Sequence, residues 1–141
     1  MNYHTSFAIA PYLRGLALFS DMQATELERL AEGCIVRRAA RGEVLFRVGD
    51  PCDELHAVIS GQVKLFALAP NGQEKVIELI SPNQTFAEAL MFTNKPYIVN
   101  AQALSETTIL TVKRQAIMLG HQLHRVLRAE RFRRARRDVR G

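Results

Sequence analysis

The amino-acid sequence predicts a mainly β fold, a sandwich or jelly roll, with helices at both ends. Three observations carry this. Residues 34–112 alternate apolar and polar side chains with period two. Gly, Pro and Asp cut that region into short runs at roughly 8 to 12 residue spacing. Before residue 34 and after residue 112 the apolar spacing changes to a helical one.

The helical start covers 7–33. Leu27, Leu30 and Ala31 share a helix face, and Leu13, Leu16 and Phe19 belong to an earlier helix or turn. Ser20 and Thr25 are candidate N-caps and Gly33 is a stop. In the β region, turns fall at Arg41-Gly42, Gly49-Asp50-Pro51 and Ser60-Gly61. Strands are expected at 55–60 and 62–69. Asn71-Gly72 then predicts a tight primed hairpin turn, because both residues tolerate positive φ. Before the turn, Leu65 and Ala67 face one side and Lys64, Phe66 and Leu68 the other. After it, Val76, Glu78 and Ile80 alternate with Ile77 and Leu79. Two more strands follow near 97–103 and 105–112, the latter rich in Thr, Ile and Val. A helix is expected over 113–137.

With 141 residues, 48% of them apolar, the chain suits one domain with its own core. Cys34 and Cys52 are too few for a disulfide framework and read as thiols of a reducing cytoplasm. Neither a secretory leader nor a membrane span is expected. The net charge of +5 is unevenly placed. Residues 1–112 hold nine Lys or Arg against twelve Asp or Glu, whereas 113–141 hold ten against two. The basicity belongs to the C-terminal segment.

The stretch "TFAEALMFTNKPYIVNAQA" (85–103) has the look of a phosphate-holding loop: a helix-start signal, one carboxylate, then an alternating strand. It contains no arginine. A helix N-terminus alone contributes about 0.3 to 1 kcal/mol toward an anion, and a bidentate guanidinium is what adds geometry. Lys95, beside Pro96, reads as exposed. Thr85-Phe86-Ala87-Glu88 also fits a capping box, with Thr85 at N-cap and Glu88 at N3. Phe86, Leu90, Met91, Phe92 and Tyr97 make the expected pocket apolar, which suits either a flat hydrophobic ligand or plain core packing.

The order of elements resembles the cyclic-nucleotide-binding domain of the catabolite-activator/fumarate-nitrate (CRP/FNR) regulators, a double-stranded β-helix followed by a C-terminal helix. "GEVLFRVGDPCDELHAVISGQVKLF" (42–66) and "NGQEKVIELISPNQTFAEALMF" (71–92) carry the likeness. "QEK", "TFAEALMF" and "NAQA" look most like the nitrate-respiration branch, which responds to nitric oxide through heme. The resemblance implies an effector domain over 1–113, a C-terminal helix with an arginine-rich tail over 114–141, and a non-catalytic sensing role. It places Phe86, Ala87, Glu88, Leu90, Met91, Phe92, Tyr97 and Ile98 at the ligand pocket. In nucleotide-binding members the loop reads Phe-Gly-Glu and then Arg-Ser or Arg-Thr. Here the glycine is Ala87, and the arginine falls near Tyr97 or Ile98, so cAMP is not the expected ligand. A guanidinium from Arg47 or Arg114 reaching the cleft would reverse that expectation.

For heme, the candidate axial ligands are His56, on a strand in phase with Val58, and His121 and His124, at i and i+3 on the last helix. His56 reads equally as a core histidine. Two cysteines argue against an iron–sulfur cluster, one strand histidine against a cupin metal site, and no Walker or nucleophile-elbow motif is present. No metal site is expected. Leu119, Leu123, Val126 and Leu127 form a short apolar seam that the resemblance makes a homodimer helix. No helix-turn-helix follows, so operator recognition is not expected of this chain alone. "RVLRAERFRRARRDVRG" (125–141) is open to several readings: a solvated end, a sequence-blind nucleic-acid contact, or the product of a shortened or frame-shifted gene. A stand-alone cyclic-nucleotide-binding regulator is the remaining alternative.

Overall fold

The computed structural model describes residues 8–88 and 93–118. They fall into two compact units. One joins Cys34 and the residues before it to Val112 and those after it; the other is Ile35–Thr111.

In the first unit, α1 (Ile9–Arg14), a 3-10 turn (Ala17–Phe19) and α2 (Ala24–Ala31) precede the β region. Leu13, Leu16, Phe19, Leu27 and Leu30 are all fully buried, as the helical spacing expects. The caps differ from expectation. Thr25 lies inside α2, and the Gln23 N–H donates to Glu26 Oε1 at 3.2 Å to close the helix start. Ser20 instead donates its hydroxyl back to the Ala17 carbonyl. Gly33 ends the helix with its N–H on the Leu30 carbonyl. A Cβ at Gly33 would collide with that of Ala116, on α3 (Arg114–Met118). The remainder of the expected C-terminal helix lies outside the described residues.

The second unit holds most of eight strands: β1 (Cys34–Ala39), β2 (Val44–Phe46), β3 (Glu54–Ser60), β4 (Val63–Leu68), β5 (Glu74–Ile80), β6 (Thr85–Phe86), β7 (Asn100–Ala103) and β8 (Thr107–Lys113). They form two four-stranded sheets, ordered β1-β8-β3-β6 and β2-β7-β4-β5. The β3–β6, β2–β7, β4–β5 and β4–β7 pairs are antiparallel. This is the mainly β roll the sequence predicts. Leu55, Ala57, Val58, Val63, Ile109 and Leu110 form its centre, at 1% exposure or less. At the β3–β4 turn Gly61 has φ +90°, and an added Cβ would meet the Glu106 carbonyl at 2.7 Å. Only glycine fits there.

The β4–β5 hairpin departs from expectation twice. Asn71 is not left-handed; only Gly72 is, at φ +87°. The Ala69 carbonyl accepts from Gly72 N–H, and the Ala69 N–H donates to the Gln73 carbonyl. The loop is therefore three residues long, ending in a left-handed glycine, rather than a two-residue primed turn. Farther along, Leu65 pairs with Glu78 but Phe66 pairs with Val76. Ile77 is the extra residue of a bulge. The expected alternation through 76–80 is broken there: Glu78 and Ile80 share a face with Leu65 and Val63, while Val76 and Leu79 share the opposite face with Phe66 and Lys64.

Candidate functional site

Four rings meet inside the second unit. Phe46 ends β2, His56 sits mid-β3, Phe86 ends β6, and Tyr97 stands just before β7. The β3–β6 register sets His56 directly opposite Phe86, with ring centroids 5.0 Å apart. Tyr97 lies flat on Phe46 at 3.6 Å and an interplanar angle of 7°. Its backbone is fixed from both sides: Tyr97 N–H donates to the Asp50 carbonyl and its carbonyl accepts from Gly49 N–H.

The polar tips in this cluster are matched to one another. His56 Nε2 lies 2.9 Å from the Tyr97 hydroxyl and Nδ1 lies 3.0 Å from Thr111 Oγ1. A neutral imidazole has one N–H and one lone pair. In that form of the ring, one hydroxyl donates to it and the other accepts from it. Burial pushes the Tyr97 hydroxyl well above its ordinary pKa, with the neighbouring Cys52 adding to the effect. The Cys52 thiol is likewise raised by burial, partly offset by its hydrogen bond with Tyr97. Both groups stay protonated at neutral pH. Asn100 completes the wall: its Oδ1 accepts from Val48 N–H at 3.0 Å and its Nδ2 donates to the Phe66 carbonyl.

The loop after β6 is not capped as the sequence suggests. Thr85 is a strand residue, buried, with its hydroxyl lacking a hydrogen-bond partner. The chain turns instead at Ala87, which takes φ +68°, and Glu88 begins helical backbone, buried at 4% exposure. The Thr85–Glu88 box fails because a left-handed residue between them swings the threonine away from the helix start.

Of the residues expected at the pocket, the structure brings Phe86 and Tyr97 together with His56 and buries Glu88. Ile98 points outward at 66% exposure. Leu90, Met91, Phe92, His121, His124, Leu119, Leu123, Val126 and Leu127 lie outside the described residues. Arg47 is exposed, and its backbone N–H donates to Asp50 Oδ2. Sequence reasoning missed Phe46, Cys52, Asn100 and Thr111. Asn100 alone had a visible signal, a polar residue at an inward phase of the strand "NAQA". Among the described residues no group of three or more metal-ligating side chains gathers, and no helix is long and apolar enough to cross a membrane.

Comparison with known proteins agrees with this geometry. The family model described as "Cyclic nucleotide-binding domain" matches residues 36–118. The "CRP-like cAMP-activated global transcriptional regulator" of Mycobacterium tuberculosis is 32% identical over 107 residues, 70% of this chain and 47% of that protein. "Transcriptional activator protein Anr" of Pseudomonas protegens is 33% identical, covering 87% of this chain and 52% of its own length. The crystal structure of the sensor domain of the transcriptional regulator DNR from Pseudomonas aeruginosa superposes with a TM-score of 0.78 at 30% identity, covering 92% of this chain and 86% of that one. The chain belongs to the cyclic nucleotide-binding domain family, as a sensor domain of the CRP/FNR type. It spans about half the length of the curated relatives it matches.

Proposed function

We propose that this chain is the effector-sensing part of a CRP/FNR-type transcription regulator, acting in the cytoplasm, and that it holds its effector without an arginine–phosphate pair. The observation behind this reading is Tyr97. Near Tyr97 or Ile98, where nucleotide-binding members are expected to carry the phosphate-binding arginine, this chain has a tyrosine buried at 4% exposure and stacked on Phe46, followed by an exposed isoleucine. The surrounding side chains Phe46, Cys52, His56, Phe86 and Asn100 offer mostly apolar faces, and the carboxylate of Glu88, two residues after Phe86, is buried as well. Such a lining suits an uncharged or apolar effector better than a cyclic phosphate. Sensing would follow from unequal affinity of the effector for two arrangements of the domain. Dimerisation through residues 119–127, and DNA contact through a further domain, belong to this proposal, as they do not rest on described residues. No catalytic role is proposed.

Heme does not fit His56 as placed. Both ring nitrogens are already matched to hydroxyls, so a bond to iron would leave a buried partner unmatched, at about 1 to 3 kcal/mol. His121 and His124 remain the heme candidates. Titration calorimetry decides the main point: cAMP and cGMP should give no binding at low-micromolar concentration, and such binding would overturn the proposal. Hemin titration extends it. A Soret band at near-stoichiometric uptake, surviving His56→Ala but lost in His121→Ala or His124→Ala, would identify heme as the effector.

A further inference from the structure

The helical unit carries a groove between α1 and α2, with a volume of about 300 Å³. Ala10, Pro11 and Arg14 line it from α1, and Ala24, Leu27 and Glu28 from α2. Within each set the residues stand three or four apart, so each set is one helix stripe. Leu27, at 1% exposure, is the most deeply placed of the six. Ala10, Pro11 and Ala24 have short side chains, which leave the space between the stripes unfilled.

The two charged residues of the groove have opposite signs and come from opposite walls. Arg14 and Glu28 are both exposed. Neither is joined to the other, or to any further side chain, in an ion pair among the described residues. This combination selects by charge. An anion is attracted by Arg14 and repelled by Glu28, and a cation the reverse, so a ligand of one sign gains from one wall and loses to the other. A ligand that carries both signs gains from both. A carboxylate matches the two-pronged guanidinium, and an ammonium donates to the Glu28 carboxylate. The apolar remainder of the lining takes a hydrocarbon group. It holds no aromatic ring and no amide, so an aliphatic group suits it better than an aromatic or polar one.

We propose that the α1–α2 groove binds a free α-amino acid with a branched aliphatic side chain, its carboxylate on Arg14 and its ammonium on Glu28. Exposed ion pairs each contribute little, so the Kd is on the order of 1 mM. The groove shares no residue with the cluster around Tyr97, and either proposal can fail without the other.

NMR titration of the ¹⁵N-labelled full chain at neutral pH tests it with three probes. These are L-leucine, 4-methylpentanoate, which lacks the ammonium, and 3-methylbutylamine, which lacks the carboxylate. Leucine should give saturable shifts at the Leu27 and Glu28 amides, and each single-charge probe should bind about threefold more weakly. Glu28→Gln should weaken leucine binding about threefold yet strengthen that of 4-methylpentanoate. Arg14→Gln should weaken leucine by a similar factor yet strengthen 3-methylbutylamine. A purely structural role for either residue would not cross the signs in this way. Circular dichroism melting shows that both variants, altered at exposed positions, keep the fold. Three results would overturn the proposal: no saturable shift with leucine up to about 20 mM, equal affinity for all three probes, or variants that change binding of all probes alike.

Discussion

Strands β3 and β5 are both seven residues long, and their sequences, "ELHAVIS" and "EKVIELI", have similar apolar content. Their fates are opposite. β3 is buried from Leu55 through Val58, while β5 is exposed at five of its first six residues, with only Glu78 among them half-buried. The difference lies in position. β3 runs between β8 and β6, whereas β5 has a neighbour only on the β4 side. Composition marks both as strands; neighbours on both sides decide which one becomes core. The buried strand carries the candidate site, through His56.

The sharpest test places one substitution in each strand. Val58→Asp introduces a carboxylate at a fully buried position. An unpaired buried charge should remove more than about 4 kcal/mol of stability, enough to unfold many domains. Val76→Asp, half exposed, should change stability by less than about 0.5 kcal/mol. Urea denaturation of both variants measures the contrast, and comparable losses would mean that β5 is covered in solution.

The next contrast concerns turns. Gly61 and Gly72 are both left-handed, but only Gly61 has backbone within reach of an added Cβ. Gly61→Ala should cost on the order of 3 kcal/mol, from clash and strain together. Gly72→Ala should cost about 1 kcal/mol, from strain alone. Similar values at the two sites would remove the steric part of this account.

These pairs also show what the sequence makes legible. The roll is readable because period-two alternation and Gly-centred turns are local signals, and β3, β4 and β8 fall close to where they are expected. The bulge is not readable. A single extra residue at Ile77 leaves composition unchanged yet reverses which side chains share a face. The capping box at Thr85–Glu88 was legible but misleading, since its four letters do not reveal that Ala87 turns left-handed. The partners of His56 were hidden for another reason. Tyr97 and Thr111 lie 41 and 55 positions away, and only sheet topology brings them to opposite nitrogens of one ring.

Tyr97→Phe tests that ring directly. The phenyl group keeps the stack on Phe46 and removes the hydroxyl from His56 Nε2. A buried nitrogen left without its partner should lower stability by about 1 to 2 kcal/mol. Thermal or urea denaturation reads this, and a neutral result would mean that the Nε2 contact is replaced by water.

The smallest expected effect has the opposite sign. Ala87 carries φ +68°, a conformation that strains a residue with a Cβ. For an L-residue that strain is about 1 to 2 kcal/mol. Ala87→Gly relieves it but gives the unfolded chain more freedom, a loss of about 0.4 to 1 kcal/mol. The difference favours the variant by about 0.5 to 1 kcal/mol. If the urea midpoint rises by that amount, the strain is real, and it sits where the loop leaves β6 for the helical backbone at Glu88. If the midpoint falls, the Ala87 methyl contributes packing that outweighs its backbone cost, and the turn is held by contacts rather than held against strain.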